Sequence, residues 1–123
     1  VGNLILAAWA ISIVLILSNG NVDTNIDKSL NVIREYEYKR GQSSYEYAVE
    51  NKVGNCLTLS YVLQEELESN GVKSKIVCGT YMGQPHAWIE VEGGYWLEAT
   101  KATYIKNRIN YRREIEWWEE NQN

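Results

Sequence analysis

The 123-residue sequence carries 12 Lys and Arg against 16 Asp and Glu, a formal charge of −4 at pH 7, and every one of those charges follows residue 22. No basic stripe gathers the cations, which argues against a nucleic-acid binder, and two Cys with one His cannot by themselves complete a four-ligand zinc site. The length suffices for one modest core.

Residues 1 to 18, VGNLILAAWAISIVLILS, contain no charged side chain, and only Ser12 interrupts the apolar run from Leu4 to Leu17. That is at the short end of the about 20 residues that a bilayer-spanning helix needs. The stretch is expected to be a transmembrane anchor or export segment, so that the chain contacts a membrane through residues 1–18 and the folded domain lies outside the cytoplasm. A buried soluble helix is the competing reading, disfavoured because so small a domain cannot enclose a helix that is apolar all round.

Residues 19–27 read as a polar hinge. Asp27 to Lys39 has helical spacing, with Leu30, Ile33 and Tyr36 on one face. Gly41 to Ser44 breaks it, and Tyr45 to Lys52 forms another short helical piece. From Cys56 to Asn70 the pattern is clearest: Leu59, Val62, Leu63 and Leu67 return at steps of three and four, with Glu65, Glu66 and Glu68 on the other side. Asn55 is the expected N-cap and Gly71 the stop.

Val72 to Tyr81 alternates as a strand, and His86 to Thr100 reads as a hairpin turning at Gly93-Gly94. A two-residue Gly-Gly loop would put His86 and Glu98 on opposite faces. A three-residue Glu92-Gly93-Gly94 loop pairs Val91 with Tyr95 and Trp88 with Glu98, which makes His86 and Glu98 diagonal neighbours roughly 7 to 8 Å apart at Cα. A working pair requires the second register. The other face then carries Ala87, Ile89, Val91 and Leu97 against Leu59 and Leu63. Residues 103–123 read as a terminal helix with Tyr104, Arg108, Tyr111, Ile115 and Trp118 at heptad-like spacing, although its basic-then-acidic charge order opposes the helix dipole. Trp117 and Trp118 on it are candidates for packing, membrane or protein contact.

Three residues carry the chemistry. Cys56 begins a helix, where free backbone amides and the positive dipole end favour a thiolate. His86, the single histidine, would take the thiol proton and later deliver one to a leaving group. Glu98 would hold the other ring N–H and balance the imidazolium. Taken singly, each residue has a plainer role. Cys56 and Cys78 are more often small buried side chains, or in an exported domain a disulfide that removes the nucleophile. His86 reads as a hydrogen-bonded strand end, and Glu98 as a surface carboxylate.

Gly54-Asn55-Cys56 ahead of the amphipathic helix, Asn70-Gly71-Val72 turning into the Lys73 to Gly79 strand, HAWIEV from His86 to Val91 and WLEAT from Trp96 to Thr100 together resemble the transglutaminase-like superfamily of Cys-His-Asp thiol enzymes, over roughly residues 28 to 100. The GNC and EAT spellings are also similar to GNC and DAT in archaeal pseudomurein-cleaving isopeptidases. The resemblance implies an α+β, papain/transglutaminase-like domain over residues 28–102, with the nucleophile at a helix N-terminus packed on an antiparallel sheet; the apolar run of residues 1–18 adds an apolar helix before it. It implies Cys56 as nucleophile, His86 as base and acid, and Glu98 where the family has Asp. Oxyanion stabilisation would come from the Cys56 N–H and a side-chain donor among Gln42, Tyr45, Tyr47, Asn51 and Gln84.

The expected activity is hydrolysis of a peptide, isopeptide or Gln amide bond in a protein or peptide-containing polymer, through an acyl-thioester, with no cofactor and no metal. The alternatives are a protein-glutamine transamidase and an inactive, membrane-attached binding module that meets a protein through its C-terminal helix.

Overall fold

The computed structural model describes residues 21–41 and 43–114. Helix α1 spans Val22–Ile33, and the Asn21 side chain caps it by accepting from the amides of Asp23 and Thr24. It therefore begins inside the stretch expected to be a hinge, because Asn21 supplies a cap that ends the polar run early. Its buried Ile26, Leu30 and Ile33 return at helical steps and set the inner face. A short strand β1 (Glu37–Tyr38) then pairs in parallel with β2 (Val53–Gly54), on either side of α2 (Tyr45–Asn51), which Ser44 caps.

Helix α3 (Cys56–Ser69) follows. Asn55 is its N-cap as the sequence predicts, within a reciprocal box: its side chain accepts from the Thr58 amide at 2.9 Å while its own amide donates to Thr58 Oγ1 at 2.9 Å. At the other end Val72 N–H reaches the Leu67 carbonyl at 2.8 Å and Gly71 N–H the Glu68 carbonyl at 3.0 Å. That double closure requires the left-handed φ of 77° that Gly71 adopts.

The remaining chain forms a five-stranded antiparallel sheet in the order β6-β5-β4-β3-β7, with β3 Ser74–Tyr81, β4 Gln84–Val91, β5 Trp96–Glu98, β6 Thr103–Tyr104 and β7 Tyr111–Arg113. The β3–β4 turn is the two residues Met82 and Gly83, both at positive φ, a turn whose twist suits a tight hairpin. In the β4–β5 hairpin Ile89 faces Leu97 and Glu90 faces Trp96, and Val91 N–H donates to the Tyr95 carbonyl at 2.7 Å. This is the three-residue Glu92-Gly93-Gly94 loop. One sheet face sends Ile89, Val91 and Leu97 into the core with Leu59, Leu63 and Leu67 of α3 and Ile26, Leu30 and Ile33 of α1. The architecture is α+β with a helix-on-sheet core consistent with the papain/transglutaminase-like topology.

Residues 103–113 do not form the expected helix: they run as β6, a connection and β7. Tyr111 and Arg113 alternate onto one face and β7 pairs with β3, Tyr81 opposite Tyr111 and Gly79 opposite Arg113. Sheet pairing of that backbone outweighs a heptad pattern whose charge order opposes its dipole. The approach is close. A Cβ on Gly79 would lie 2.0 Å from the Arg112 carbonyl oxygen and 2.9 Å from the Trp88 ring. The Gly79→Ala variant is therefore expected to lose about 1–3 kcal/mol, seen as a lower denaturant midpoint and faster hydrogen exchange at residues 111–113. Unchanged exchange there would mean that β7 does not depend on this contact.

No helix among the described residues is long and apolar enough to cross a membrane. The longest, α3, has 14 residues, which at about 1.5 Å per residue falls short of a hydrocarbon core of about 30 Å, and it carries Glu65, Glu66 and Glu68. The expected membrane contact, anchored or exported state and extracytoplasmic placement therefore find no support. Residues 1–18, the apolar stretch on which they were placed, lie outside the described residues, as do Trp117 and Trp118.

Candidate active site

Cys56 takes the first position of α3, where backbone amides have no acceptor within the helix. His86 sits in β4 opposite Gly79 of β3, and Glu98 ends β5. The three-residue hairpin loop brings the last two together: His86 Nε2 lies 2.7 Å from Glu98 Oε1. Nδ1 is thereby left unused by the carboxylate, Cys56 and His86 line the same hollow, and the ring acts on the acidity of the thiol. Both cysteines are free, so no disulfide removes the sulfur.

The electrostatics follow from those contacts. The hydrogen bond to His86 lowers the Cys56 pKa, burial opposes it, and the Ala87 amide and the positive imidazole lower it further. Burial alone would lower the His86 pKa, but the bonds to Cys56 and Glu98 outweigh it and raise the ring to about 9. Glu98 is only 2 % exposed; burial pushes its carboxyl up, and donors from His86, Tyr111 and Thr100 more than reverse this. Cys78 is the contrast. Burial, with the charge of Glu114, raises its pKa. The same fold thus drives its two thiols in opposite directions.

Two side chains without an assigned role complete the carboxylate's surroundings. Thr100 Oγ1 donates to Glu98 Oε2 at 2.9 Å, and the Tyr111 hydroxyl donates to Oε1 at 2.8 Å. Thr100 lies in the WLEAT segment that carried the family resemblance. Tyr111, which the heptad-like spacing predicts on a helix, lies on β7, and no local pattern in the sequence marks that strand.

Cys56, His86 and Glu98 line a cleft of about 650 Å³ together with Tyr38, Arg40, Gln84 and Lys101. A second hollow of about 510 Å³, with Leu57, Cys78 and Pro85 in its wall, shares Cys56 and His86 with the first. Gln84 is the oxyanion candidate in the thiol cleft. Tyr47 and Asn51 line a separate hollow, the Tyr45 hydroxyl donates to Glu65, and Gln42 lies outside the described residues. Among the described residues no group of three or more His, Cys, Asp or Glu is placed to hold a metal.

A family profile described as the transglutaminase-like superfamily matches residues 19–101. No curated protein matches the chain significantly, and neither does any solved structure.

Proposed function

As the chain belongs to the transglutaminase-like superfamily, we propose that it is a thiol hydrolase of amide bonds in proteins or peptide-containing polymers, with Cys56 as nucleophile, His86 as acid and base, and Glu98 orienting the ring. The observation that supports this reading is that His86 bonds a buried carboxylate and lines one cleft with a thiol whose pKa is lowered.

The Cys56 thiolate attacks the substrate carbonyl carbon and a C–S bond forms as the carbonyl electrons move to oxygen. The Cys56 N–H, with Gln84 as side-chain donor, faces that oxyanion. The imidazolium of His86 protonates the amide nitrogen, the C–N bond breaks, and an amine leaves the acyl-thioester. Water then gives a proton to His86 and attacks the thioester carbonyl; the C–S bond breaks, the acid is released, and the Cys56 thiolate and His86 imidazolium are restored. Glu98 holds one tautomer through Nε2 and keeps the ring cationic when needed. A substrate chain lying across the thiol would occupy both hollows, one on each side of the scissile bond. Water completes the cycle with no second binding site, which places hydrolysis ahead of transamidation.

The test uses residue-resolved alkylation by iodoacetamide. At neutral pH Cys56 is expected to react well ahead of Cys78, because only its pKa is lowered. Hydrolysis of a peptide library should follow a bell in pH. Its acid limb reports formation of the Cys56 thiolate, and its alkaline limb lies near the His86 value of about 9, where the leaving group loses its proton donor. Alkylation needs no such donor and should not fall on that limb. Equal labelling of the two thiols would refute an activated Cys56, and amine incorporation exceeding hydrolysis would make the protein a transamidase.

A further inference from the structure

We propose that Tyr111, which lies beyond the residues matched by the family profile, is a positioning residue that keeps the Glu98 carboxylate ionised and aimed at His86. The proposal rests on the triad reading and adds a member to it from the C-terminal segment.

Glu98 Oε1 takes two donors at once, His86 Nε2 at 2.7 Å and the Tyr111 hydroxyl at 2.8 Å. The second oxygen takes Thr100. A carboxylate can only accept, so the phenol donates; burial, and after it this bond, raise the Tyr111 pKa, while the bond helps to lower that of Glu98. Glu has one more rotatable bond than the Asp usual at this place in the family, and without fixed donors its carboxylate would sample positions that do not meet the ring. Three donors on two oxygens confine it. An imidazole oriented through a confined carboxylate holds one tautomer.

The tyrosine is itself held from several directions. Its ring centroid lies 4.5 Å from that of Tyr81, 5.2 Å from Trp88 edge-on, and 6.3 Å from Trp96. Its strand is fixed by pairing with β3, by Met82 N–H on the Asn110 carbonyl at 3.0 Å, and by the Arg113 guanidinium on buried Glu90. Gly79 lets that strand come close. The whole segment from Asn110 to Arg113 thus delivers one hydroxyl to the carboxylate.

The Tyr111→Phe variant keeps the ring and removes only the donor. In the full chain, the Glu98 carboxyl followed by carbon-13 NMR should titrate about one pH unit higher, the shift expected for loss of a hydrogen bond to a charged group. The acid limb of the Cys56 alkylation profile should move up with it, in a Cys78→Ser background, while the melting temperature changes little. In a Glu98→Gln background the same substitution should leave the profile unchanged, since its route of action is gone. An unshifted Glu98 titration, or a Tyr111→Phe effect of full size in the Glu98→Gln background, would overturn the proposal and reduce Tyr111 to packing. The carboxyl titration is read without any turnover. A shifted titration together with a Cys56 that alkylates no faster than Cys78 would sink the hydrolase reading and leave the tyrosine contact standing.

Discussion

Replacing His86 with alanine is expected to lower amide hydrolysis by about 10²- to 10⁴-fold, the usual worth of a positioned acid–base group, and to move the onset of Cys56 alkylation to higher pH. The first effect follows from losing the proton donor to the leaving amine. The second follows from the thiol, whose lowered pKa owes most to its hydrogen bond with this ring. Stability should respond as well, with a definite sign. The ring's pKa is raised from 6.5 to about 9, so its charged form stabilises the fold fully below the ordinary value, and that stabilisation fades as pH rises through about 9. The gap in melting temperature between parent and variant should therefore be widest on the acid side of neutrality and narrow towards pH 9. Kinetics measured across that range, beside melts at each pH, check both. A variant that hydrolyses within a few-fold of the parent would place the acid–base group elsewhere.

The Trp88→Ala variant should lose about 3–5 kcal/mol, as deletion of a fully buried large aromatic usually does, out of a total that for a domain is about 5–15 kcal/mol. Trp88 is 0 % exposed and sits on the sheet face away from the helices. It packs against Trp96 with centroids 5.8 Å apart and meets the edge of Tyr111 at 5.2 Å. Its indole N–H donates to Glu90 at 3.3 Å. Deleting it opens a cavity beneath β7 and removes a support of Tyr111, so urea unfolding should show a much lower midpoint, and the variant that survives should also lose reactivity at Cys56. A loss under 1 kcal/mol would show that this second face is not a core at all.

That second core explains which parts of the molecule were legible in advance. Asn55, Cys56 and the leucine spacing up to Leu67 form a local pattern: a capping side chain beside its amide and a stripe at helical period need no information from the rest of the chain. The choice between hairpin registers stayed open in the sequence and rested on requiring a working His86–Glu98 pair. Once Glu92-Gly93-Gly94 is the loop, the period of two puts His86 and Glu98 on one face. Residues 103–113 were misread because short strands at a sheet edge take their stability from the partner strand. Nothing within Tyr111-Arg112-Arg113 announces that Gly79 has left room for it.

From the sequence alone came the capped helix that carries Cys56 and the hairpin, because periodicity, caps and turns act between residues close in the chain, while the family and the α+β class came from the resemblance of its motifs. Only the tertiary structure decided that the His86 ring bonds Glu98 and lines one cleft with Cys56, that Tyr111 and Thr100 hold the carboxylate, and that the two thiols are pushed in opposite directions. Those contacts join strands and a helix far apart in sequence, and a pKa is set by whatever charges, donors and burial surround a group in space.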